Sequence, residues 1–161
     1  MNAVVEKWIN DVADFFSNAL QEFQSQANDE MEVFAVDCHP WNGVLVLAFL
    51  THSEVEESPF LAEVGEMAAW RNYDFASGLS CLQRASDLGS QMRDVYEQAG
   101  EDRSRVGERF LEGCAAAVAA KRVQEVLSKY KLSCSFKITI PHPDSEKDYY
   151  PPGKRKGDIV D

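Results

Sequence analysis

Apolar residues recur three or four positions apart through the first segment: Val5, Trp8, Ile9, Val12, Phe16, Leu20 and Phe23. This spacing puts them on one stripe of an α-helix, predicted from about Val4 to Gln26 and ended by Asn28 and Asp29. Glu6, Asp11, Asp14, Asn18 and Glu22 fall mostly elsewhere, so the aromatic stripe is expected to lie on a sheet. Glu32 to Cys38 reads as a strand. Val44 to Leu50 has no polar position and reads as a second strand, buried on both faces and therefore central, with a further strand beyond it. Between them His39-Pro40-Trp41-Asn42-Gly43 contains Asn-Gly, a hairpin signal, so the two strands are expected to pair antiparallel.

Thr51 to Ser58 is acidic and polar, and an apolar rhythm resumes at Phe60, Leu61, Val64, Met67 and Ala68. That rhythm predicts a short helix from about Pro59 to Trp70, with proline at its first turn, followed by a packed loop from Trp70 to Phe75. Leu79, Leu82, Ala85, Leu88, Met92, Val95 and Ala99 define another helix, with Gly100 at the left-handed terminating position. A further helix is predicted from about Arg103 to Tyr130, and the small side chains from Gly113 to Ala120 allow a neighbour to approach it closely. Cys134, Phe136, Ile138 and Ile140 alternate with Ser133, Ser135, Lys137 and Thr139, the pattern of a strand with one buried and one wet face. Pro141 and Pro143 stop it.

These elements make one α+β domain over residues 1–143, with a small, mostly antiparallel sheet of at least three strands and about four helices. A polar, proline-rich tail follows at 144–161, with Tyr149 and Tyr150 as its anchors. A chain of 161 residues is long enough to close a core without disulfides or a metal. The cysteines, Cys38, Cys81, Cys114 and Cys134, are far apart and read as reduced, mostly buried thiols. Their spacing suits no zinc site, and neither a metal nor a cofactor is expected. No apolar run approaches the roughly 20 residues of a membrane-spanning helix, and the amphipathic start lacks the apolar stretch of an export signal. A cytoplasmic protein without a membrane partner is the expectation. The net charge of −11 disfavours nucleic acid. The cluster Lys154, Arg155 and Lys156 reads as part of a solvated tail.

The common mechanistic motifs are absent, namely dinucleotide and phosphate loops, the nucleophile elbow and the zinc-protease helix, and no catalytic residue is assigned. Asp37, Cys38 and His39 at the hairpin mouth, with His52 beyond the second strand, are the candidates for a pocket, since a thiolate beside an imidazole makes a nucleophile and base. Neighbours in a strand point to opposite faces, however, which separates Cys38 from His39. His142, before Asp144, has no nucleophile placed beside it. Glu54, Glu56, Glu57, Glu63 and Glu66 form the strongest local charge feature, which reads as a solvated face or, as its functional alternative, a docking surface for a basic protein. Trp41, at the hairpin tip, either folds back onto the domain or anchors that partner. A homodimer in which the tail crosses to a second subunit is a third reading.

The order of elements resembles a family of uncharacterised bacterial domains of unknown function. The likeness lies in the first strand, Val33-Phe34-Ala35-Val36-Asp37, in the segment Ala69-Trp70-Arg71, and in the late helix and strand from Phe110 to Ile140. The turn Cys38-His39-Pro40 departs from that pattern. Some domains of this kind accompany bacterial toxins as immunity or accessory proteins, so the resemblance implies protein binding and supplies no catalytic residue.

Overall fold

The computed structural model describes residues 2–63 and 65–153, apart from the side chain of Asn2. Val64 of the expected short helix and the Lys154, Arg155 and Lys156 cluster lie outside the described residues. The amphipathic first segment forms α1, Asn2–Phe23, and β1, Met31–His39, leads through a single 3-10 turn at Pro40–Asn42 into β2, Val44–Thr51. Then come α2, His52–Glu57; α3, Leu82–Gln98; α4, Arg103–Ala119; α5, Lys121–Leu127; and β3, Leu132–Thr139.

The fold is α+β, and its sheet is mixed. β1 and β2 form the expected antiparallel hairpin, whereas β3 runs parallel to β1, and the strand order is β2-β1-β3. β1 is thus the central strand and β2 an edge, the reverse of what the all-apolar β2 suggested. β2 is apolar because both of its faces are covered. On one face Leu45, Leu47 and Phe49 join the main core beneath the helices. On the other, Ala48 and Leu50 pack with Val33, Ala35 and Trp70 in a smaller cluster. Its outer edge is partly closed as well, by the bond from the Phe49 amide to the Asn72 carbonyl at 3.2 Å.

α1 lays Trp8, Val12, Phe15, Phe16, Ala19 and Leu20 into the main core, each at most 3% exposed. Two close approaches lock the helices to it. An added Cβ at Gly113 of α4 would stand 2.9 Å from Ile9 of α1, and one at Gly89 of α3 would stand 2.0 Å from the Gly43 carbonyl oxygen. Gly43 also has φ +67°, so the hairpin turn and α3 meet backbone to backbone through two residues that must lack side chains.

The helix expected from Arg103 to Tyr130 is two helices. Ala120 is extended, with φ −60° and ψ 140°, and the Gln124 side chain donates to the Val118 carbonyl at 2.8 Å, satisfying an acceptor that the break releases. Alanine gives no sign of a break, since no residue favours helix more. The helix expected from Pro59 to Trp70 is replaced by two 3-10 turns, Pro59–Ala62 and Met67–Ala69. The regular helix lies earlier, at α2, where Thr51 and Glu54 form a capping box. In β3 the expected alternation is interrupted. The register with β1 jumps from Met31↔Leu132 to Val33↔Lys137, so Ser133 is buried and Cys134 exposed. The thiols of Cys38 and Cys114 are buried. The stretch 144–153, assigned by composition to a tail, belongs to the folded body: Tyr149 is buried, its amide bonds the Ile140 carbonyl at 3.0 Å, and its hydroxyl donates to Glu108 at 2.7 Å.

Candidate functional site

β1 decides which of the hairpin-mouth residues meet. Its odd positions Val33, Ala35, Asp37 and His39 share one face, so Asp37 and His39 stand together. The His39 Nε2 donates to Asp37 Oδ1 at 2.8 Å, and the Tyr73 hydroxyl donates to Asp37 Oδ2 at 2.8 Å. Burial alone would push the Asp37 carboxyl up, but donation from His39 and Tyr73 outweighs it and holds the group below its ordinary 3.8. The same bond to Asp37 raises His39 above 6.5 against the effect of its own burial, with the charge of Asp144 adding to the rise. Tyr73 is pushed well up, by burial first and then by Asp37.

Cys38 points the other way. It is fully buried, and its thiol approaches the Met92 sulfur at 3.5 Å. Contact with the Cys114 thiol, followed by burial, raises it further from ionisation, so it is not a thiolate beside His39. His52 lies at the opposite end of β1, bonding Glu32 through Nδ1 and Glu56 through Nε2, each at 3.0 Å. The bond to Glu32 is the first cause of its raised pKa, with Glu56 and Glu30 adding to it. The proposed pocket of Asp37, Cys38, His39 and His52 is therefore not one place. What remains of it, Asp37–His39–Tyr73, is a closed hydrogen-bonded set. Neither of the two grooves described below includes it, and among the described residues no hydroxyl or thiol nucleophile bonds His39.

The acidic residues divide as well. Glu54 is 5% exposed and turned inward. It accepts from the Thr51 amide at 2.9 Å, the Thr51 hydroxyl at 2.7 Å and the Arg71 amide at 2.7 Å. It is a staple between α2 and the segment after Trp70, and no partner can reach it. Thr51-His52-Ser53-Glu54 is a capping-box pattern that was legible in the sequence. Glu56, Glu57 and Glu63 are exposed and Glu66 partly so. Among them stands Phe60, 53% exposed, a residue of the apolar rhythm that predicts a short helix. Trp70, whose indole donates to the Leu61 carbonyl at 2.7 Å, ties this lobe down and leaves Phe60 at its surface.

Trp41 has folded back. It is half-buried, with ring centroids 5.8 Å from His39, 6.1 Å from His142 and 6.3 Å from Tyr96. Charge is partitioned along the chain in a way its total conceals. The first 70 residues hold thirteen carboxylates and one cation, Lys7, and the remaining 91 hold fourteen and fifteen. The whole net charge therefore belongs to α1, the hairpin and the lobe.

Two grooves open elsewhere. One, of about 750 Å³, lies between α1, α4 and the chain from Lys147 to Gly153. The other, of about 470 Å³, lies between α5 and the outer side of β3. Among the described residues no group of His, Cys, Asp and Glu side chains is arranged to hold a metal ion, and no helix is long and apolar enough to cross a membrane. Comparison of the chain with protein-family models, with curated proteins and with solved structures yields no match.

Proposed function

We propose that the protein is a cytoplasmic binding module of immunity or regulatory type, which meets a basic protein partner through the lobe of residues 56–66. The observation that supports this reading most directly is the exposure of Phe60 among Glu56, Glu57, Glu63 and Glu66. Large exposed aromatics are common energetic anchors of interfaces, and a single-sign rim speeds encounter with a partner of opposite charge. No lysine or arginine lies between Lys7 and Arg71 to blunt that field from within the segment. Glu54 has no part in the contact because it is consumed internally, and Trp41 is peripheral to it. The family resemblance points in the same direction.

The test separates anchor from field. The wild-type chain, Phe60→Ala and the triple variant Glu57→Lys, Glu63→Lys, Glu66→Lys are used as bait in extract of the native cell at low and moderate salt. A basic protein held in stoichiometric amount at low salt, released as salt rises, and lost with either variant is the expected result. Retention of the same protein by both variants would remove the lobe from the interface.

A further inference from the structure

The two edges of the sheet are finished differently. β2 is capped by Asn72, whereas among the described residues β3 has a strand neighbour on its β1 side alone, the returning chain meeting it at its far end, where Asp148 bonds Thr139 and Ile140. An open strand edge presents unpaired amides and carbonyls, which proteins ordinarily blunt with proline, bulges or a covering element. β3 contains no proline, and its irregular register lies in its pairing with β1.

Beside that edge runs the 470 Å³ groove, lined by Leu127 of α5, by Leu132, Phe136 and Ile138 of β3, and by Tyr150. Ile138 pairs with Phe34, on the helical face, and Lys137 with Val33, on the opposite face. A strand laid outside β3 would follow the same alternation, dropping every second side chain into the groove over α5 and leaving the others on the face of Lys137. Lys129 and Lys131, exposed in the connection from α5, and exposed Lys137 flank this place. None of the three is in an ion pair among the described residues, and the α5 carboxylate Glu125 is paired with Lys121 at 3.7 Å. Two carboxylates also border β3, and both are engaged: Glu32 accepts from Ser135 and His52, and Asp148 from Thr139 and the Ile140 amide. In a protein of net charge −11 the three lysines are, among the described residues, the free charges beside an apolar slot.

We infer that β3 is a strand-addition site, and that its occupant is an extended segment of a partner protein in which apolar and acidic residues alternate. Backbone bonds to the open edge supply affinity, and the groove and the lysines select the sequence. The site is separate from the lobe of residues 56–66 and opposite to it in charge, so either assignment stands or falls without the other.

The probe is a labelled octapeptide of alternating valine and glutamate, with two controls: lysine in place of glutamate, and four valines followed by four glutamates. Binding by fluorescence anisotropy, mass by light scattering and amide hydrogen exchange are measured on the full chain. The alternating acidic peptide is expected to bind as one peptide per monomer, to slow exchange of β3 amides, and to bind about tenfold more weakly to Lys129→Glu, Lys131→Glu, Lys137→Glu, whose changes are all at exposed positions. The controls are expected to bind at least as weakly as that variant. Equal binding of all three peptides, binding without protection of β3, or no binding overturns the proposal. A chain that is dimeric through β3 without peptide overturns it too, because the occupant is then a second copy.

Discussion

The two faces of the sheet are closed by different physics. Beneath the helices, Phe16, Phe34, Phe49, Phe110 and Leu111 are at most 1% exposed and belong to one continuous cluster with side chains from α1, α3, α4 and α5. Across the sheet, Val33, Ala35, Ala48, Leu50 and Trp70 form a small cluster under a lobe with little regular structure, held by the bond that Glu54 accepts from the Arg71 amide and the bond that Trp70 donates to Leu61. The first face is held by many contacts, none of them individually indispensable in direction. The second depends on a few donors and acceptors meeting correctly. That difference leaves room on the second face for the polar strip of Asp37 and His39 and for an exposed Phe60, while the first is filled beneath β1 and β2 and opens only at the groove between α5 and β3.

The largest effect should come from the helical face. Phe49 lies within 5.0 to 6.1 Å, centroid to centroid, of Phe23, Phe34, Phe75 and Tyr130. Phe49→Ala is expected to cost about 3–5 kcal/mol, as for other buried aromatic deletions. Urea denaturation measures this directly, and a loss below about 1.5 kcal/mol would mean that the aromatic cluster is not the centre of the core.

Next comes the staple of the other face. Glu54→Ala removes a capping-box acceptor and leaves the buried Thr51 and the Arg71 amide short of a partner, for an expected loss of about 2–3 kcal/mol. Glu57→Ala, three residues on, should leave the denaturation midpoint unchanged. Equal effects of the two would erase the distinction between the inward and outward carboxylates of the lobe. Placing lysine at Glu54 would damage the fold before it tested any interface, which is why the binding variants above avoid it.

The smallest effect is a pH dependence at the polar strip. His39 is raised, so its contribution is full below 6.5 and is lost as pH climbs through its higher folded value. Asp37 is lowered, so its contribution is full above 3.8 and is lost as pH falls through its lower folded value. The pair therefore stabilises most between 3.8 and 6.5. The difference in thermal midpoint between wild type and His39→Gln should be greatest in that window and shrink above it, with Asp37 accepting from Tyr73 throughout. A difference that stays constant across the window and above it would show that His39 acts through shape alone. His52, raised by Glu32, titrates in the same direction, so His52→Gln is the control.

Much of the fold could be read from local pattern. The stripe of α1, the hairpin of β1 and β2, the helix ending at Gly100 and the existence of β3 all follow from side-chain periodicity and turn chemistry, which act over a few residues. The small residues of α4 foretold the approach that Gly113 makes to Ile9. The candidate site was less legible. Asp37 and His39 share a face by strand alternation, which the sequence implies, yet Tyr73 reaches them from 36 residues away and carries no local mark. Glu54 and Glu57 are the same amino acid in the same acidic run, and only the capping box distinguishes them.

The sequence by itself determined the class of the fold, the main helices and strands, the absence of a long apolar span, and the concentration of negative charge in the first 70 residues. Each of these is a property of composition or of short-range spacing. Tertiary structure alone decided that β1 and not β2 is central, that α4 breaks at Ala120, that Glu54 is buried while Phe60 is exposed, and that among the described residues β3 has a strand on one side alone. These depend on which surface is covered by residues distant in the chain. An apolar strand looks the same in sequence whether a neighbouring strand or a side chain such as Trp70 from an irregular segment buries it, because burial depends on removing water from its surface and not on the kind of element that does so.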